Sequence, residues 1–249
     1  MVDAGAIHRY LEHDLAVYVY DIIPSTNDEA RRHLMAHPCE RAVFIARGQT
    51  AGRGRRGRSF YSPAGTGIYM TYAFRSDGMG ADTVRVTTAA SVAVAKALDC
   101  GAQIKWVNDL YCAGRKVCGI LAETVRAAER SYTMIGVGVN LTTTDFPEDI
   151  REKAGSIGRP LDKERTIAAI CDNLSELADD PSATDYLGYY RDHMMGIGET
   201  IRYVENGQAH TAQIEGIGDR GELLVVEGTV HKRLRSGDIT FTSFEAAGR

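Results

Sequence analysis

Apolar and polar positions alternate along residues 16–23 (AVYVYDII), with β-branched and aromatic side chains filling the pattern, which predicts a strand. Residues 41–46 (RAVFIA) and 67–74 (GIYMTYAF) read as two further strands, and 132–141 (YTMIGVGVNL) as another. Residues 104–109 (IKWVND) read as a strand end, and 110–125 as a hairpin that turns at Ala113-Gly114. Helical spacing takes over elsewhere. Residues 5–13 predict a short helix. A second begins in PSTNDEARRHLMAH, where Thr26 and Glu29 have capping-box spacing and Ser25 and Asp28 form a competing pair. Residues 81–99 are apolar almost all round, so that helix should be buried. In 162–180, Ile167, Ile170, Cys171, Leu174 and Leu177 fall on one helical face, and 182–194 extend the helical region.

After Met195 the texture changes to short apolar runs separated by turns at Asn206-Gly207, 219–221 and Ser236-Gly237. That spacing predicts a small β-barrel of about fifty residues. The expected organisation is a domain over 1–195 and a second over 196–249. Strands and helices do not alternate strictly in the first, and its hairpin is antiparallel. The fold class is therefore α+β, a mixed sheet with helices packed against it.

A chain of 249 residues with net charge −4 and a pI near 6.0 is not a bulk nucleic-acid binder, so any polyanion site must be local. No run approaches the ~18 apolar residues needed to span a membrane, and the mixed polar start MVDAGAIHRYLEHD is not a signal peptide. Five cysteines without CxxC spacing read as reduced thiols of a cytoplasmic protein, not as a disulfide frame or a metal site.

One stretch breaks the acidic balance. In GQTAGRGRRGRSFYSP, residues 48–63, Arg53, Arg55, Arg56 and Arg58 follow Arg47 with glycines between them and no acid in the segment. Glycine lets backbone N–H groups approach an anion, and arginine offers planar paired donors. Like-charge repulsion predicts a mobile loop until an anion neutralises it. It is not a Walker A loop, since no GK[ST] follows. By itself the segment leaves open a solvated loop, a nucleic-acid contact or a phosphate cradle. Other groups are equally ambiguous singly. Ser25, Thr26 and Asn27 fit a helix cap. Lys105 and Asp109 fit an ion pair, Lys116 a solvated charge past a turn, and Gly136 to Asn140 a buried strand ending in a turn.

Their joint order is specific. Ser25-Thr26-Asn27, the arginine loop from Gly48 to Arg58, Lys105-Trp106-Val107-Asn108-Asp109, Lys116 with Gly119-Ile120-Leu121, and Gly138-Val139-Asn140 together resemble the biotin protein ligases. The resemblance runs from about 18 to 142, and the C-terminal segment is similar to that family's small SH3-like barrel. It implies a core like that of class II aminoacyl-tRNA synthetases and a two-step reaction. Biotin and ATP give biotinyl-5′-AMP and pyrophosphate, and biotin then passes to a lysine of a carboxylase carrier domain. A carboxylate approaching a phosphate at ~4 Å meets about 4 kcal/mol of repulsion at an effective dielectric near 20, which cations must cancel.

By position, the resemblance implies that Ser25, Thr26, Asn27, Gln49, Gly52, Arg53, Arg55, Lys116, Gly119 and Leu121 hold biotin. Arg53, Arg55, Arg58, Lys105, Trp106, Asn108 and Asn140 would face ATP or the adenylate. Lys116 would be the principal catalytic side chain, with Arg55 beside it. Asp109 would orient or deprotonate the incoming lysine. Mg²⁺ would arrive on the ATP phosphates, with no metal site of the protein's own. Partners would be biotin and the carrier domain, neither nucleic acid nor membrane, and a sheet edge could support a homodimer. Val107 replaces the family's usual proline and leaves the local turn less rigid. Phe60 replaces a usual tryptophan and alters packing at the biotin edge. The lipoate ligases are the competing family, and the arginine loop with the KWxND block favours biotin. Some relatives carry an additional DNA-binding domain, for which the residues before Ala16 leave no room. Ligation without repression is the expected outcome, and nanomolar operator binding in a gel shift would contradict it.

Overall fold

β1 (Ala16–Ile23) and β2 (Arg41–Gln49) run parallel, joined by α2 (Thr26–Ala36), while α1 (Ala4–His8) precedes them. The structure, a computed structural model, describes residues 2–77, 82–127 and 129–243. Every later pairing in the first sheet is antiparallel: β3 (Gly67–Arg75), β4 (Gln103–Lys105), β5 (Asp109–Cys112), β6 (Arg115–Ala127) and β7 (Arg130–Asn140) complete the order β1-β2-β3-β7-β6-β5-β4. This is the expected mixed sheet. α3 (Thr83–Leu98), α4 (Lys163–Asp179) and α5 (Tyr186–His193) follow the chain order anticipated for them. Ala81, where the third helix was expected to start, and residues 244–249 of the second expected domain lie outside the described residues.

The sheet's two faces differ. Ile68, Met70, Tyr72, Val137 and Val139 alternate onto one face and pack with Val94 of α3 and with Ile167, Ile170 and Leu174 of α4. Phe44, Ala73 and Met134 lie on the other and meet Ala30 and Leu34 of α2. Two helices thus cover the first face, whereas α2 covers only part of the second.

β8 (Thr200–Glu205), β9 (Gln208–Ile217), β10 (Leu223–Glu227), β11 (Val230–Leu234) and β12 (Ile239–Phe241) form a separate antiparallel sheet in the order β11-β10-β9-β8-β12. Its first turn has Asn206 and Gly207 both left-handed, φ 52° and 79°. The hairpin between β5 and β6 turns the same way at Ala113 and Gly114, φ 49° and 74°, which matches strand twist in a two-residue loop. Among the described residues no helix is long and apolar enough to cross a membrane.

Four local expectations are corrected or refined. The first helix stops at His8 rather than His13, because the Asp172 carboxylate accepts the backbone N–H groups of Glu12 and His13 at 3.1 Å each and draws the chain away. The strand end expected in 104–109 falls at Lys105, and Asp109 already opens the next strand: the chain turns through 106–108 between β4 and β5. The final helical region breaks between Asp179 and Tyr186, across Pro181. Neither capping box forms. Ser25 takes the N-cap position without a side-chain cap bond.

Trp106 ties the two sheets. It is 4% exposed, and its indole Nε1 donates to the Gly221 carbonyl at 2.9 Å. Trp106→Phe should therefore lower stability by about 1 kcal/mol, since it leaves a buried carbonyl without its donor. Urea denaturation of variant and parent checks this.

Candidate functional site

The uncovered part of the second face is made of glycine. Gly119 of β6 stands opposite Gly138 of β7, and Tyr69 and Thr71 of β3 stand opposite Gly138 and Gly136. A Cβ at Gly138 would lie 2.5 Å from Phe60 Cε1, and one at Gly136 would lie 2.4 Å from Asn27 Oδ1. The Phe60 ring and the Asn27 amide thus rest directly on the sheet, where any side chain would lift them. The Phe60 ring is seated on bare backbone. A cavity opens above this floor, walled by α2, the arginine loop, β6 and β7.

One end of the cavity is an ordered chain of polar groups. The Thr26 N–H and hydroxyl donate to Gln49 Oε1 at 2.8 and 3.2 Å, and Gln49 Nε2 donates to Ser62 Oγ at 2.8 Å. Thr71 Oγ1 lies 2.9 Å from Thr26 Oγ1 and 2.6 Å from Asn27 Oδ1, and Asn27 Nδ2 donates to Glu123 at 3.0 Å. With its amide oxygen held by Thr26, Gln49 is fixed in orientation. Thr26 serves this network instead of the helix cap.

The other end is cationic. Arg53 pairs with Asp28 of α2 at 2.8 Å. Arg55 Nη1 donates to Asn108 Oδ1 at 3.0 Å, and Asn108 Nδ2 donates in turn to the Ile120 carbonyl at 2.9 Å. Lys116 Nζ lies 2.7 Å from Asp109 Oδ1 and beside Gly119. Burial pulls the Arg55 guanidinium below its ordinary value, with Asp238 and Asp109 opposing. It remains a cation.

The loop does not lack a counter-charge. Asp238, between β11 and β12, lies 2.5 Å from Arg58, 3.7 Å from Arg56 and 4.0 Å from Arg55. The loop closes on itself through backbone hydrogen bonds as well. Gly54 N–H donates to the Arg58 carbonyl at 2.7 Å and Phe60 N–H to the Gly52 carbonyl at 2.9 Å, around a turn with left-handed Arg56 and Gly57. A Cβ at Gly52 would fall 2.5 Å from the Phe60 carbonyl, so this return requires glycine. Asp238 was not anticipated, because nothing near it in sequence points to a loop 180 residues away.

Of the candidate residues, the cavity is lined by Thr26, Asn27, Gln49, Arg53, Arg55, Arg58, Asn108, Asp109, Lys116, Gly119 and Leu121. Gly52 shapes the loop behind it. Ser25, 2% exposed, is set back from the lining, and its hydroxyl has no partner among the described residues. Three others stand apart. Trp106 is in the core. Lys105 places its ammonium over the rings of Tyr111 and Phe241 at 5.8 and 5.5 Å, and burial lowers its pKa. Asn140 donates to the Gly155 carbonyl at 3.0 Å and keeps a buried amide oxygen without a partner among the described residues. Among those residues no group of three His, Cys, Asp or Glu side chains is placed to hold a metal ion.

The biotin/lipoate A/B protein ligase family model matches residues 19–140, which contain every lining residue named above except Asp238. The bifunctional ligase/repressor BirA of Bacillus spizizenii is 29% identical over 88% of this chain and 72% of its own length. The biotin–[acetyl-CoA-carboxylase] ligase of Paracoccus denitrificans is 38% identical over 47% of this chain and 51% of its own. Among solved structures, biotin protein ligase from Aquifex aeolicus in complex with biotin and ATP has a TM-score of 0.76 at 22% identity, covering 91% of this chain and 98% of that one. The Leishmania major ligase in complex with biotinyl-5-AMP has a TM-score of 0.62 at 20% identity, covering 88% and 98%. At these identities the structures establish a shared fold.

Asp238→Ala should free the arginine tip while Arg53 stays held by Asp28. Proteolysis within 54–58 should accelerate several-fold, with the thermal midpoint little changed, because exposed ion pairs contribute only about 0.2–1 kcal/mol. Limited trypsin digestion followed by mass spectrometry reads this.

Proposed function

Given that the chain belongs to the biotin protein ligases, within the biotin/lipoate A/B protein ligase family, we propose that it activates biotin to biotinyl-5′-AMP and passes biotin to a lysine of a carboxylase carrier domain. One observation carries this reading: four cations and the fixed Thr26–Gln49 pair face a single cavity from opposite ends, over a glycine floor. A ureido ring both donates and accepts hydrogen bonds, and the amide–hydroxyl end suits it. The dithiolane of lipoate offers only weakly accepting sulfur.

In the first step the biotin carboxylate oxygen attacks the α-phosphorus, the P–O bond to the β-phosphate breaks, and pyrophosphate leaves. Lys116 stands where carboxylate and phosphate would meet, and Arg53, Arg55 and Arg58 offset the charge that accumulates. Asn108 keeps the Arg55 fork aimed. Magnesium would arrive with ATP and supply positive charge to its phosphates. The two carboxylates lining the cavity, Asp109 and Asp238, already hold cations of the chain, so we assign the ion no protein ligand. In the second step the carrier lysine attacks the acyl carbon and AMP leaves. Asp109 is the group we assign to orient or deprotonate that amine, with Lys116 free to exchange from it. Lys105 and Asn140, outside the cavity, are assigned to the nucleotide side only through the family resemblance.

Residues 1–195 would form the catalytic domain and 196–249 the barrel-like one. All strands of the larger sheet end by Asn140 and those of the smaller begin at Thr200. We assign the ligase reaction alone to the described residues, among which Ile7 of α1 packs into the core ahead of β1. β6 residues 121–127 pair with β7 alone among the described residues, an edge at which a second copy could add, and sedimentation equilibrium tests that dimer. Reaction in the cytoplasm is consistent with ATP use and free thiols.

Incubated with ATP and one free acid at a time, the protein should release pyrophosphate with biotin and not with lipoate. Release with lipoate alone would overturn the substrate. Lys116→Ala should slow single-turnover adenylate formation by roughly 10²-fold or more while preserving the fold, because its ammonium is partly solvated. Arg55→Ala should weaken retention of biotinyl-5′-AMP, seen as faster loss of the adenylate on gel filtration.

A further inference from the structure

The sequence reads as a set of unlinked thiols, yet two of them meet. Cys100, just past the left-handed Asp99 that ends α3, and Cys112, the last residue of β5, bring their sulfurs to 3.5 Å. Both are partly exposed, whereas Cys118 and Cys171 are buried. We propose that Cys100 and Cys112 are a reversible thiol–disulfide site, oxidised by hydroperoxides.

A disulfide needs the sulfurs at about 2.0 Å, and the two already stand in contact before oxidation. The surroundings divide the two roles. The hydrogen bond shared with Cys112, the Ala102 N–H and Arg159 draw the Cys100 thiol below its ordinary value, and the contact with Cys100 raises Cys112. Arg159 is fixed nearby through the Asp99 carbonyl, to which it donates at 2.8 Å. The thiolate is the nucleophile in such chemistry, which makes Cys100 the attacking sulfur and Cys112 the resolving one. Cys39, the remaining partly exposed cysteine, has its thiol raised by burial.

The Cys100 thiolate attacks the terminal oxygen of the peroxide. An S–O bond forms, the O–O bond breaks, and the departing oxygen takes a proton as alcohol or water, leaving a sulfenic acid. Cys112 then loses its proton and attacks that sulfur. The S–S bond forms, the S–O bond breaks, and water leaves. Two thiols are oxidised and one peroxide is reduced. A dithiol reductant reverses the change by exchange. The ring so closed spans 100–112 and contains Lys105, Trp106, Asn108 and Asp109, so oxidation would staple the segment that carries part of the nucleotide and transfer machinery. The chemistry does not depend on the ligase reading.

Native protein treated with stoichiometric hydrogen peroxide, then denatured and alkylated, should lose two of its five thiols. Peptide mapping should recover a 100–112 cross-link, with the mass lower by two hydrogens, and dithiothreitol should restore both thiols. In Cys112→Ser, Cys100 should accumulate as a sulfenic acid captured by dimedone, and in Cys100→Ser the cross-link should vanish. Modification of Cys39 first, or full alkylation of both Cys100 and Cys112 after peroxide, would overturn the proposal. The wild-type map decides the matter even if a variant fails to fold.

Discussion

Four cations can share one cavity only if something offsets their mutual repulsion before any ligand arrives, and here three carboxylates from separate parts of the chain do so. Asp28 holds Arg53, Asp109 holds Lys116, and Asp238 holds the Arg55–Arg58 tip. None of these pairs is deeply buried, so each adds little to stability. Their importance is positional. They set where the loop runs, and the loop in turn sets where Phe60 lies on Gly138 and where Gln49 meets Ser62.

The glycine floor is the other constraint. Gly119, Gly136 and Gly138 leave backbone where a strand normally presents side chains, and the ring and amide above them occupy the released space. α2 would cover this face if it were longer or differently placed, and its N-terminus instead supplies Thr26 and Asn27 to the cavity. The same sheet therefore carries a closed core on one face and an open cavity on the other.

Much of this was legible in sequence because the signals are local. The Ala113-Gly114 turn, the alternation in 16–23 and 67–74, and the buried third helix each rest on residues a few positions apart. The site motifs were legible through their joint order. What the sequence could not show was long-range competition for a group. Thr26 has a capping partner in sequence, yet Gln49, 23 residues on, takes its donors. Trp106 sits within a motif of polar residues, yet its indole answers a carbonyl of the second sheet. Asp238 looks like an ordinary turn residue until the fold sets it against the loop. The same blindness covered Cys100 and Cys112, twelve positions apart without a recognisable spacing.

The second sheet is joined to the first at several points: Gly221 on Trp106, Phe241 over Lys105, and the Gly237 carbonyl near Arg55. Asp238 makes that junction chemically active. A carboxylate among three guanidiniums already occupies the electrostatic place of a phosphate, so an incoming phosphate group gains only the difference between itself and the anion it replaces. Under the proposed function, ligand affinity at the loop would be an exchange equilibrium, with the C-terminal sheet as the resident competitor.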